Sequence, residues 1–224
     1  MIDYTLTRSN RKTIAIHVTD RGVEVRAPLK ASKYDINKFV ASKEKWIRDK
    51  LAQSNERLEQ REKFSLTYGS SILYRGKNCL ISAKPGNMVS FADEQFYMPP
   101  DLSPEQVMRA CVQIYRLLAK RDLTHKVLDF AKQMSVMPIA VKINGAKARW
   151  GSCSGKKSIN FSWRLIMAED DVIDYVVVHE LAHITEMNHS VSFWAIVQNV
   201  LPDYRDRKKR LEELQKKLSV EDWE

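Results

Sequence analysis

The chain has 224 residues, 44% hydrophobic and 29% charged, with a formal net charge of +9. That length can bury a sizeable core, as one domain or two closely packed subdomains, and the composition is ordinary for a soluble globular protein. No apolar run approaches the roughly 20 residues that span a bilayer, and residues 1–5, MIDYT, lack the basic start and apolar stretch of a signal peptide, so a cytoplasmic protein without a membrane partner is expected. Cys79, Cys111 and Cys153 are odd in number, far apart and without CxxC spacing, which predicts reduced thiols rather than a disulfide framework or a zinc ribbon. The positive charge permits nucleic acid or a nucleotide as partner; the other reading is a basic soluble surface.

In chain order, residues 12–27 predict a β-hairpin. Ile14, Ile16 and Val18 alternate with polar neighbours, Thr19-Asp20-Arg21-Gly22 supplies the turn, and Val23 and Val25 resume the alternation. His17 lies on the polar face. Residues 32–63 predict an amphipathic helix with Ile36, Phe39, Val40, Trp46, Ile47 and Leu51 as its stripe and a polar tail beyond Gln53. Residues 64–98 return to short strands of a small antiparallel sheet, and Pro99-Pro100-Asp101 marks a boundary.

Ser103-Pro104-Glu105-Gln106 predicts a capping box that opens a helix running to about Met134. Its core candidates are Val107, Cys111, Ile114, Leu117, Leu118, Leu123, Val127, Leu128 and Phe130, with His125 among polar neighbours. A strand over 139–144 and the segment Arg149-Trp150-Gly151-Ser152-Cys153 follow. Residues 158–165 alternate as a strand, with Ile159, Phe161, Trp163 and Leu165 on one face, and its edge is expected to hold an extended peptide.

The most informative stretch is His179-Glu180-Leu181-Ala182-His183, with His189 ten residues after His179. Two histidines four apart share one helix face, so both imidazoles reach a single ion, with Glu180 at its flank. Chance placement of this composition produces the pattern about 0.007 times. The helix, capped by Asp170 or Asp171, is apolar nearly all round, so two imidazoles and a carboxylate sit in low dielectric, and a divalent cation relieves that cost. His189 is the predicted third ligand and Glu186 its competitor; Asn188 is expected to take a left-handed turn that returns His189 to the ion. Ser190 is predicted to cap a helix over 190–201, and a basic helix with Arg205, Arg207, Lys208, Lys209 and Arg210 starts at Pro202. That helix is read as a solvated face with charge pairs, or as a nucleic-acid contact.

The chain resembles the YgjP-like metallopeptidase family, related to the SprT-like and WLM zincins. The resemblance runs nearly end to end, through Arg11-Lys-Thr-Ile-Ala-Ile16, Lys45-Trp46-Ile47, Arg149-Trp-Gly-Ser-Cys153, Asp174–His183, Asn188–Trp194 and Pro202-Asp-Tyr-Arg205. It implies an α+β fold: a minimal zincin-like domain over 101–224, built on the HExxH helix and a small antiparallel sheet, preceded by a β-rich subdomain over 1–100 with one amphipathic helix. It also implies Zn2+ on His179, His183 and His189, and Glu180 as catalytic base.

The function expected is hydrolysis of peptide bonds in a polypeptide substrate by metal-activated water, with Glu180 as general base. Tyr204 and Arg149 are candidate oxyanion partners; alternatively Tyr204 packs its ring in the core and Arg149 anchors its loop. Two other classes remain open: hydrolysis of nucleotide phosphoanhydrides by the same centre, and a metal-stabilised nucleic-acid-binding protein.

Overall fold

The computed structural model describes residues 2–19 and 22–223. The chain divides into two compact units: one comprises the chain up to Phe64 together with Ser219–Asp222, the other Ser65–Leu218 together with Trp223.

In the first unit, β2 (Ala15–Thr19) and β3 (Gly22–Pro28) form the expected hairpin, with Ile16 opposite Val25 and Val18 opposite Val23. Asp20 and Arg21 of its turn lie outside the described residues. β1 (Thr5–Ser9) adds in parallel to the other side of β3. It escaped the pattern reading because all five of its residues are exposed. The single helix expected over 32–63 is two, α1 (Lys33–Ser42) and α2 (Glu44–Lys63). Lys43, at φ −110° and ψ 10°, breaks the spiral, and Ser42 Oγ donates back to the Phe39 carbonyl. The break turns the stripe: Ile36, Val40 and Ile47 join Val23, Val25 and Ala27 in the core, whereas Trp46, expected inside, is 44% exposed.

The second unit carries the site. β4 (Ser71–Tyr74), β5 (Lys77–Ala83), β6 (Ser90–Ala92) and β7 (Gln95–Met98) form a sheet ordered β4-β5-β7-β6, in which β5 and β7 run parallel. Pro99–Asp101 mark the passage from β7 to α3 (Pro104–Gln133) inside this unit, and α3 begins with the predicted capping box on Ser103 and Gln106. Leu117 and Leu128, expected in the core, are exposed. The buried face of α3 is instead drawn through Val107, Cys111, Ile114, Tyr115, Leu118, Leu123 and Val127.

β8 (Ala140–Asn144), β9 (Gly151–Cys153) and β10 (Ser158–Ser162) form a second sheet, ordered β8-β10-β9 and again mixed. The predicted strand over 158–165 ends at Ser162, and Trp163–Met167 coil into a fully buried 3₁₀ helix. A sequence buried on every side carries no alternation to distinguish the two conformations. An aromatic file of Tyr74, Phe91, Phe96, Tyr115 and Trp163, with ring centroids 4.5–5.3 Å apart, ties the first sheet to α3 and the 3₁₀ helix. Gly76, at the tip of the β4–β5 turn, has φ 78°, and a Cβ there would meet Glu169 Cγ at 2.6 Å. Its N–H donates to the Met167 carbonyl, so the hairpin tip braces the 3₁₀ helix where it enters α4 (Asp170–Ala182).

α4 buries nine of its thirteen residues. Its N-cap is Glu169, without a side-chain cap bond, rather than Asp170 or Asp171. Those two aspartates occupy the first turn, where their charge complements the helix dipole. Arg75 and Lys126 pair with Asp170, Lys126 also with Asp174, and Arg210 with Asp171 and Glu169. α5 (Val191–Val200) starts at the Ser190 cap as predicted, and α6 (Tyr204–Leu218) starts two residues after Pro202. The fold class is α+β. No helix among the described residues is long and apolar enough to cross a membrane.

Candidate metal centre

The last turn of α4 places His179 and Glu180, and His183 caps its C-terminus. The chain then turns without any left-handed residue: neither Glu186 nor Asn188 has a positive φ. Amides 184, 185 and 186 bond back to the carbonyls of Leu181 and Ala182, and Ser190 N–H bonds to the Asn188 carbonyl. Tight turns of ordinary handedness therefore return His189, so the position that is glycine in the longer motif needs none here.

The three imidazoles converge. Their ligand nitrogens all lie within 4.8 Å of one another, and Nε2 of His179 and Nε2 of His189 are 3.1 Å apart. A tetrahedral zinc with Zn–N bonds of ~2.0–2.1 Å holds its nitrogens about 3.3 Å apart; the His179–His189 pair has that spacing, and His183 completes a set that closes onto such an ion by a small side-chain shift. His183 Nδ1 donates to the Glu186 carbonyl at 3.0 Å, since a carbonyl can only accept, and this leaves Nε2 with its lone pair free. Glu186 thus contributes through its backbone, and its side chain lies outside the cluster of ligand atoms.

Phe193 forms the floor, its ring centroid 4.6–4.9 Å from all three imidazole centroids. Trp194 stacks on His189 with 5.7 Å between centroids. Burial, then repulsion from His183, His189 and Lys208, pushes the His179 pKa down to about 3, and burial lowers that of His189, so this apolar bed favours the neutral form of both. Glu180 is 5% exposed, and its Oε2 is buried without a partner. Burial pushes its carboxyl up to about 7, with the Arg149 charge pulling the other way.

Gly151, at the head of β9, lies against that carboxylate. A Cβ there would meet Glu180 Oε1 at 2.6 Å and Cδ at 2.8 Å. The signal in the sequence was a glycine between Trp150 and Ser152, and no rule of spacing tied it to residue 180. The edge expected of residues 158–165 is relocated, because β10 is central, flanked by β8 and β9. The Ser154 amide bonds to the Ser158 carbonyl and the Ser162 amide to the Trp150 carbonyl, with Ser152 opposite Asn160. In an antiparallel ladder the alternate residues, Gly151 and Cys153, then aim their polar backbone groups away from β10. β9 is, with β8, an edge strand, and pairs with no further strand among the described residues.

Of the other candidates, Arg149 is exposed and its charge acts on Glu180. Tyr204 is buried with its ring stacked on Trp194 and Tyr175, the packing arrangement. His125 pairs with Asp129 on the exposed face of α3, and the three cysteines are unpaired.

A family model of the YgjP-like metallopeptidase domain matches residues 12–214. The chain belongs to the YgjP-like metallopeptidase family. Membership implies a metal-dependent peptidase, and the His179, His183 and His189 cluster is able to hold the metal. Two solved structures are similar over less than half of this YgjP-like chain. The abylysin metallopeptidase zymogen of Pyrococcus abyssi has 24% identity over 44% of this chain and 97% of its own, with a TM-score of 0.39. The jannalysin metallopeptidase zymogen of Methanocaldococcus jannaschii has 22% identity over 42% and 96%, with a TM-score of 0.37. A search of curated proteins finds no match.

Proposed function

We propose that this protein is a zinc-dependent metallopeptidase that hydrolyses peptide bonds in extended polypeptides, with zinc on His179, His183 and His189. The observation that carries the reading is the pairing of a three-imidazole cluster with the buried, unpartnered carboxylate of Glu180. Held by these three imidazoles, zinc would supply a Lewis acid that acidifies water and polarises a carbonyl. Glu180 is the general base: its free Oε2 takes the proton from the attacking water and later delivers it to the leaving amine. Arg149 is the nearer oxyanion candidate, since its charge already acts on the Glu180 side of the centre. Tyr204 serves as wall for Trp194 and is the lesser candidate.

The substrate backbone adds antiparallel to β9, bonding to Gly151 and Cys153 beside Glu180. A basic contact with nucleic acid loses its main support, because Arg207 and Arg210 are engaged by Asp203, Asp171, Asp206 and Glu169. Hydrolysis of nucleotide phosphoanhydrides is a second reading, favoured by the remaining cations, Arg205, Lys208 and Lys209, which line a cavity with Trp194.

The deciding experiment incubates zinc-loaded protein with an unstructured polypeptide and, separately, with nucleoside triphosphates. Cleavage of the polypeptide, lost in Glu180→Gln while stoichiometric zinc is retained, is the expected result. Release of pyrophosphate or phosphate with the polypeptide intact would replace this reading by the second.

A further inference from the structure

α6 carries two basic faces with different fates. Arg207 and Arg210 are consumed by Asp203 just before the helix, Asp206 within it, and Asp171 and Glu169 at the α4 N-terminus. Arg205, Lys208 and Lys209 point to the other side, exposed, and line a cavity of about 460 Å³ with Trp194, Tyr204 and Glu212. Positions 205, 208 and 209 are i, i+3 and i+4, so three like charges repel along one helical face. Among the described residues, Arg205 and Lys209 have no ion pair, and Lys208 reaches Glu212 only at 4.0 Å. The floor is aromatic, with Trp194 and Tyr204 stacked at 5.2 Å and 17°, and Lys208 Nζ lies 5.8 Å from the Trp194 ring centroid.

This cavity adjoins the metal centre. Trp194 is their shared wall, stacking on His189 on the metal side. An anion seated on α6 therefore lies next to the metal centre, where one substrate is able to reach both.

We propose that the Arg205, Lys208 and Lys209 cavity is a substrate subsite that binds a carboxylate of the polypeptide being cleaved. The inference rests on the peptidase reading and names its specificity. Three cations less Glu212 leave the cavity a formal charge of +2, which attracts a carboxylate. A triphosphate would need a cradle of backbone N–H groups, and no glycine-rich phosphate loop is present in the sequence. The carboxylate has two sources, an acidic side chain or a free C-terminus.

The test uses the zinc-loaded full chain and quenched peptides in matched sets. Each set differs only by Glu or Gln at one position flanking the scissile bond, and each peptide is made with a free or an amidated C-terminus. One form should be preferred by about tenfold in kcat/KM, the scale of a charge-assisted contact. Dependence on Glu identifies a side chain, and dependence on the free terminus identifies the C-terminal carboxylate. The preference should shrink in 0.5 M salt, fall toward unity in the Lys208→Gln/Lys209→Gln double variant, and persist in Lys120→Gln on α3. Cleavage of all peptides at equal rates overturns the subsite and leaves the peptidase reading standing. If no peptide is cleaved, that reading fails, and calorimetric binding of the Glu and Gln peptides to zinc-loaded Glu180→Gln protein decides the cavity. Equal affinities, or tighter binding of a nucleoside triphosphate than of the acidic peptide, overturn the carboxylate assignment.

Discussion

Gly151 leaves Glu180 no room for a methyl neighbour, since the three nearest atoms to its would-be Cβ, all within 2.8 Å, belong to that carboxylate side chain. The backbone at Gly151 has ordinary handedness, so the constraint is contact rather than conformation. Gly151→Ala should push the carboxylate aside and lower kcat by about a hundredfold, the cost of a displacement near 1 Å, while zinc content stays stoichiometric. Turnover and bound metal measured on the same preparation check this; unchanged turnover would mean that β9 yields instead. The HExxH pair was legible because helical spacing alone brings positions i and i+4 together, and His189 by its ten-residue offset from His179. The partners of those residues were not legible. The Glu186 carbonyl that orients His183 and the Phe193 ring beneath all three imidazoles become neighbours only through the turn after α4.

The carboxylates at the start of α4 are held by cations from three other elements, namely Arg75 from the β4–β5 turn, Lys126 from α3 and Arg210 from α6. Arg207 and Arg210, two of the basic residues of α6, thus act as a clamp on the helix that carries the site. Hydrogen bonding from Arg210 holds the Asp171 carboxyl below its ordinary range, against the opposing effect of burial. A carboxylate depressed in the folded state contributes stability that is present above its unfolded pKa of about 3.9 and lost as pH falls through the folded value. Melting temperature should therefore drop more steeply below about pH 4 in the native chain than in Asp171→Asn, which also melts lower at pH 7. Parallel acid-side curves for the two proteins would show that the clamp adds no linked stability. Asp170 and Asp171 suggested a cap from sequence because aspartate is favoured there. Their actual role follows from cations 39 to 95 residues away in the chain.

Across the second unit, the aromatic file from Tyr74 to Trp163 continues to Trp223, which meets both Tyr115 and Trp163 edge-on at 5.6 Å. Trp163 is 2% exposed at its centre, and Trp163→Ala should cost about 3–5 kcal/mol, read as a shift in the urea midpoint with little change in slope. A ligand that binds only the folded chain stabilises by mass action. Zinc at a hundred times its Kd should add about 2.7 kcal/mol, so a chelator lowers the melting temperature and re-added zinc restores it. A melting temperature indifferent to chelator would remove the three-histidine assignment.

Local periodicity and capping chemistry determined, from sequence by itself, the β2–β3 hairpin, the capped start of α3, the Ser190 cap of α5 and the imidazoles of the site, because each depends on residues within a few positions of one another. Tertiary structure alone decided what is not local. It split the 32–63 helix at Lys43, turned 163–167 from strand into 3₁₀ helix, and exposed Trp46, Leu117 and Leu128. It also made β9 rather than β10 the open edge and laid Gly151 on Glu180. Burial on all sides erases periodicity, and pairing partners are chosen by distant segments, so neither is written in the local pattern. The opposite fates of the two basic faces of α6 have the same origin, since only the folded chain brings Asp171 and Glu169 to one face and Trp194 to the other.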